Sequence, residues 1–130
     1  MNNICTFKKA ERISFQKEIE RLFKQGDAFI SFPLRIVYLK QKPRSGATIS
    51  VLISVSKKKF KHAVKRNRIK RLIKEAYRLN KTSLIQHFQE KDRGMLIAFI
   101  FIGNELCKLK EIETAMQKAL NILILKEKTE

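Results

Sequence analysis

The side chains with chemical potential crowd into the middle of this sequence. Ser54-x-x-Lys57 and Ser56-x-x-Lys59 both have the serine–lysine spacing of acyl-enzymes, in which a serine nucleophile works beside a lysine amine. Neither is accompanied by a Ser-Asp-Asn or Lys-Thr-Gly element, and inside a lysine run the spacing is nearly inevitable. His62 and His87 are the only histidines, and no carboxylate is spaced along the chain to orient either as a general base. Asp27 follows a glycine and Asp92 lies two residues before one, which fits turn chemistry better than metal ligation. A metal-dependent nuclease needs a cluster of carboxylates to hold its ions, and the sequence offers none. No catalytic residue and no metal ligand is therefore expected from the protein itself.

Charge is what this region does offer. Between residues 57 and 81, "KKKFKHAVKRNRIKRLIKEAYRLNK", twelve cations face one acid, Glu75, so that +11 of the chain's formal +17 lies in one segment. Solvated helices usually mix signs, because opposite charges four residues apart stabilise them. This segment repels itself at nearly every such spacing and calls for a polyanion. Arg66-Asn67-Arg68 sharpens the reading: arginine presents a planar fork that matches phosphate oxygens, and asparagine adds a donor and an acceptor for a ribose or a base edge. A strand running into a helix just there adds free N–H groups and the positive end of the helix dipole.

Elements must hold these residues in place. At 130 residues and 44% hydrophobic content the chain makes one domain, 1–130, with a core of its own. Residues 13–25 place Ile19, Leu22 and Phe23 on one helical face, with Ser14 as N-cap, Phe15 one turn before Ile19 and Gly26 as the stop. Residues 29–40 read as a strand with Pro33 near its start or edge, and "QKPRSGA" as a turn. Residues 47–56 alternate, Ile49, Val51, Ile53 and Val55 to one side and Ser50, Leu52, Ser54 and Ser56 to the other, so the second strand has a polar face. A helix over 63–87, bent near Asn80, carries Ile69, Leu72, Ile73 and Ala76 inward and Asn67, Arg71, Lys74 and Arg78 outward. "EKDRG" breaks the chain, Met95–Ile102 is apolar on both faces like an interior strand, and 107–125 has helical spacing. The order αββαβα describes an α/β protein, a single-domain α-β sandwich with a mixed sheet.

The remaining features narrow the class. No apolar run approaches the roughly 20 residues of a spanning helix, and "MNNICTFKKAER" turns polar at once, so a cytoplasmic location without a membrane is expected. Cys5 and Cys107 have no CxxC partner and read as small hydrophobes. Phe23 and Tyr38 read either as core or as aromatic platforms on which single-stranded bases stack within a basic groove. A helix-turn-helix is disfavoured by the strand pattern. A general RNA-binding module of ribosomal-protein type shares the charge but needs no polar sheet face.

"SVSKKKFKHAVKRNRIKRLIKEAYR" resembles the signature of the bacterial ribonuclease P protein subunit. The resemblance extends to an N-terminal helix ending in "LFKQG", two strands, the Arg-Asn-Arg helix, a strand and a C-terminal helix. It implies a ribonuclease P protein-like fold, shared with a ribosomal protein domain. The implied activity is that of a holoenzyme component: a catalytic RNA removes the 5′ leader of precursor tRNA, with Mg2+ held mainly by the RNA and the substrate. By the same resemblance Arg66, Asn67, Arg68, Lys70 and Arg71, with Lys74 on the same helix, would contact the catalytic RNA. Phe23, Tyr38, Ser54, Lys57 and Lys58 would lie along the leader, and no small-molecule substrate is implied. One departure stands out: the family usually has an aromatic where this chain has Ile19.

Overall fold

The computed structural model describes residues 16–42 and 48–128. The cap read for Ser14, the contact read for Phe15, Cys5 and most of the turn after Gln41 lie outside them. Eight elements follow one another: α1 (Gln16–Gln25), β1 (Asp27–Ser31), β2 (Leu34–Gln41), β3 (Ile49–Val55), α2 (Ala63–Asn80), α3 (Thr82–Glu90), β4 (Gly94–Phe101) and α4 (Leu109–Lys128).

The expected order holds, with two subdivisions. The strand read over 29–40 is a hairpin, β1 and β2 pairing antiparallel from Asp27↔Tyr38 to Ser31↔Leu34. Phe32 and Pro33, joined by a cis peptide, form its two-residue tip. Proline has no N–H to give to a ladder, so it marks the turn rather than a strand edge. The long helix breaks where a bend was expected: the Asn80 side chain donates back to the Ala76 carbonyl at 2.7 Å, competing with the helical ladder, and α3 begins after Lys81.

The sheet runs β1-β2-β4-β3. β2 is antiparallel to both neighbours, and β3 is parallel to β4. As expected of an interior strand, Met95 through Phe99 are fully buried. One face packs Ile36, Tyr38, Val51, Ile97 and Phe99 against Ile69, Ile73 and Tyr77 of α2, Leu84 and Phe88 of α3, and Met116 and Leu123 of α4. The other face is smaller: Val37, Leu96 and Ala98 lie beneath Leu22 of α1.

The C-terminal end of α4 is tied back through Glu127, which is 5% exposed. Its Oε1 lies 2.6 Å from His87 Nε2 and its Oε2 lies 3.5 Å from Arg93 Nε. His87 thus has a carboxylate partner, 40 residues away, that spacing along the chain does not reveal. Glu127→Ala leaves a half-buried imidazole nitrogen without that partner, and losing a charged hydrogen bond costs about 1.5–3 kcal/mol. Thermal denaturation should register a drop of several degrees; an unchanged melting temperature would show that this pairing does not anchor α4.

Candidate nucleic-acid interface

The basic segment is shaped by its own backbone before it meets any ligand. β3 ends at Val55, and the Ser56 hydroxyl accepts the N–H groups of Lys58 at 3.2 Å and Lys59 at 3.4 Å, turning the chain. Phe60 then plugs into the core against Phe101, ring centroids 5.8 Å apart. Lys59 is tied down, its Nζ donating to the Ile102 carbonyl at 2.8 Å, whereas Lys57 and Lys58 project into solvent. An open cleft of about 490 Å³ lies between this turn, with Lys58, Lys61 and Lys65 on its walls, and Asn104 and Glu105 after β4.

Arg66 belongs partly to this framework. Its Nη1 donates to the carbonyls of Phe60 and Lys61, both at 2.8 Å, and so buckles the turn onto the first turn of α2. Its other donors stay available. Beyond it, Ile69, Ile73, Ala76 and Tyr77 are buried, while Asn67, Arg68, Lys70, Arg71 and Lys74 are exposed, as the helical spacing requires. No acid stands in the first turn of α2. Arg78 behaves differently from the rest of the expected outward stripe, since its Nε lies 3.2 Å from Glu75 Oε2. That hydrogen bond and the guanidinium charge hold the Glu75 carboxyl below its usual range, against the opposing effect of partial desolvation. The result is an exposed face of α2 with four cations, Arg68, Lys70, Arg71 and Lys74, beside the neutral Asn67, all of them expected from the sequence.

The sheet face opposite the main core is less uniform. Side chains in register share a face, so β1, β2, β4 and β3 line up Ile30, Arg35, Ile100 and Ser54 in one row. The next row of this kind is Ala28, Val37, Ala98 and Leu52. α1 lies over the latter. The polar face read for β3 narrows accordingly: Ser50 is 1% exposed, Leu52 joins the apolar cluster, and Ser56 is past the strand, which leaves Ser54 half-buried on this side.

The two aromatics separate. Phe23, read on the same face of α1 as Leu22, is instead 47% exposed while Leu22 is buried, so it is available to a ligand. Tyr38 is not on this side at all. It is 5% exposed within the main core, its ring 5.9 Å from that of Phe29, and its placement beside Ser54 is corrected. Alternation along each strand is legible in sequence, but the phase between strands is set by register: Arg35 and Val37 share the face of Ser54, and Ile36 and Tyr38 point the other way. Arg35, exposed on the face of Ser54, is a cation that the sequence reading did not place there. Its signal was there, as the one charged side chain among residues 34–39.

Other chemistry is muted. Burial pushes the Cys107 thiol above its usual range, and nearby Glu111 and Glu105 push it further, so it is a poor nucleophile. Among the described residues no group of three or more His, Cys, Asp and Glu could hold a metal ion. Nor, among them, is any helix long and apolar enough to cross a membrane.

Comparison with known proteins agrees with this arrangement. A family model described as Ribonuclease P matches residues 7–123. A ribonuclease P protein component of Porphyromonas gingivalis is 45% identical over 122 residues, covering 92% of this chain and 89% of the relative. One from Clostridium novyi is 38% identical over 116 residues, covering 87% and 93%. Among solved structures, the RNase P protein of Staphylococcus aureus superposes with a TM-score of 0.67 at 24% identity, covering 88% of this chain and 96% of that one. That of Thermotoga maritima superposes with a TM-score of 0.65 at 21% identity, covering 86% and 96%. With the fold shared by the solved structures and the sequence match spanning nearly the whole chain, this protein belongs to the ribonuclease P protein family.

Proposed function

We propose that the chain is the protein subunit of a ribonuclease P holoenzyme, binding its catalytic RNA and the 5′ leader of precursor tRNA to assist endonucleolytic release of the mature 5′ end. The observation that carries this is the exposed cationic face of α2, Asn67, Arg68, Lys70, Arg71 and Lys74, entered from a turn that presents Lys57 and Lys58. Phosphates of a folded RNA meet the α2 face, and a single strand runs from Lys57 and Lys58 toward Ser54 and the exposed ring of Phe23. Such a strand gains from cationic contacts and from stacking, each stacked base contributing roughly 1–3 kcal/mol.

Bond breaking falls to the RNA in this reading. Among the described residues no group of three or more His, Cys, Asp and Glu could hold a metal ion, and in this reading the Mg2+ is held mainly by the RNA subunit and the substrate. The protein's contribution is binding and orientation, and its place of work is the cytoplasm.

Purifying the protein with its bound RNA from the host and sequencing that RNA tests the assignment. The catalytic RNA of ribonuclease P should dominate; ribosomal RNA in its place would transfer the chain to the ribosomal-type reading. Stripped of RNA, the protein should leave precursor tRNA uncut at every magnesium concentration, and mature 5′ ends produced by RNA-free protein would overturn the subunit role.

A further inference from the structure

The cleft of about 490 Å³ between the β3–α2 turn and the segment after β4 shares only Lys58 with the RNA contacts proposed above. Its volume lies within the roughly 300–1,000 Å³ of small-molecule sites. Both walls are fixed, and both rest on the ring of Phe101. On one side Phe60 packs against that ring, the Lys59 amino group donates to the Ile102 carbonyl, and Arg66 ties down the carbonyls of Phe60 and Lys61. On the other, Gly103 lies so close to the ring that a Cβ there would stand 2.8 Å from its Cζ. The Ile102 N–H beside it donates to the Pro33 carbonyl at 2.9 Å. A cleft shaped in advance loses little entropy when a ligand fills it.

The lining is chemically mixed. Lys58, Lys61 and Lys65 are exposed, and their amino groups make no hydrogen bond or ion pair with any described residue. Across the cleft stand Asn104, Glu105 and Leu106, the last 43% exposed. The Glu105 carboxylate likewise makes no hydrogen bond or ion pair with any described residue, so it is not there to pin a lysine. A cleft for phosphates alone gains nothing from an acid, which repels them. A ligand that carries phosphates and an edge of N–H donors uses both walls. Guanine has two adjacent donors on one edge, N1–H and the N2 amino group, beside the acceptor O6; a carboxylate takes the donors and an amide N–H meets the acceptor. Adenine and cytosine turn a ring nitrogen acceptor toward the same carboxylate, and uracil sets its one N–H between two carbonyls. We propose that the cleft is a guanine-nucleotide site, in which Glu105 accepts from N1 and N2, Asn104 donates to O6, Leu106 covers a face of the base, and Lys61 and Lys65 hold phosphate. The nucleotide is either free or an unpaired residue of a bound RNA, and the recognition is the same.

Calorimetric titration of the full-length, RNA-stripped protein with GTP, ATP and inorganic tripolyphosphate tests the site, and its outcome is independent of the subunit reading. GTP should bind about tenfold more tightly than ATP. Glu105→Gln should abolish that preference by weakening GTP, while tripolyphosphate binds no more weakly than before. In a cleft that merely collects charge, the same substitution deletes a repelling acid and tightens all three ligands alike. That result would overturn the proposal, as would equal affinity of the unaltered protein for GTP and ATP. Lys61→Ala should weaken GTP and tripolyphosphate together and leave the ratio of GTP to ATP unchanged. Melting should be unaffected by either substitution, since both side chains are exposed. Holoenzyme reconstituted with the catalytic RNA then identifies the source. GTP binding that persists there assigns the cleft to free nucleotide. GTP expelled by the RNA, with that RNA bound about tenfold more weakly by Glu105→Gln, assigns it to a guanine of the RNA. Expulsion with an RNA affinity indifferent to Glu105→Gln would mean that no nucleotide uses the cleft in the assembled enzyme, and the proposal falls.

Discussion

Replacing Arg68 and Arg71 by alanine is expected to weaken binding of the catalytic RNA roughly a hundredfold at moderate salt, at about 1.5 kcal/mol for each charge-assisted hydrogen bond removed. The two guanidinium groups are exposed three residues apart on one face of α2, and neither has an acidic partner among the described residues. Each phosphate they neutralise releases counterion, so the slope of log K against log salt should become shallower by about 1.4–1.8. Because the substitutions relieve like-charge repulsion on an exposed face, the free protein should melt no lower than before. Titrations at several salt concentrations check both quantities. A double variant that keeps its affinity and its slope would take the α2 face out of the interface.

Arg66 should behave differently, although it shares the Arg-Asn-Arg triplet. Its Nη1 is already engaged by the Phe60 and Lys61 carbonyls. Alanine there removes a buckle between the turn and α2 as well as a charge. Reduced thermal stability with a smaller change in slope would be its signature.

That contrast shows where sequence reasoning reaches its limit. The inward stripe Ile69, Ile73 and Ala76 and the outward set Asn67, Arg71 and Lys74 follow from one helical period, and one helix is all that fixes them. The interior strand was legible for a similar reason, since a run apolar on both faces has few other homes. The hairpin at Phe32 and Pro33 was missed because both arms are rich in strand-forming residues and the loop is only two residues long. Tyr38 was misplaced because its face depends on the register of β2 against β4, a long-range relation that no local pattern carries. Arg66 and His87 share that blind spot: their partners are chosen by the fold, a carbonyl six residues back in one case and Glu127 across the molecule in the other.

The largest drop in stability is expected from Phe99→Ala. Phe99 is fully buried at the middle of β4, in register with Ile36 on one side and Ile53 on the other. Its ring lies 5.7 Å from that of Tyr77, so it is also where α2 is seated on the sheet. Truncating a buried phenylalanine costs about 3–5 kcal/mol, through apolar surface returned to water and the cavity left behind. Against a total of about 5–15 kcal/mol, that is a large fraction, and for a chain of this size the melting temperature should fall by about 10–25 °C. No basic residue is touched. Well below the new transition the folded fraction should therefore bind the catalytic RNA with an unchanged salt slope, whereas Arg68→Ala with Arg71→Ala should bind with a shallower slope and an unchanged transition. Saturating RNA separates the two further. A ligand at about 100 times its Kd stabilises the folded state by about 2.7 kcal/mol, so it should lift the Phe99→Ala transition almost as much as it lifts that of the unaltered protein. At the same RNA concentration the arginine variant, with its weakened affinity, should gain much less. A Phe99→Ala protein that melts within a few degrees of its parent would show that the packing of Tyr77 on Phe99 does not hold the basic helix in place.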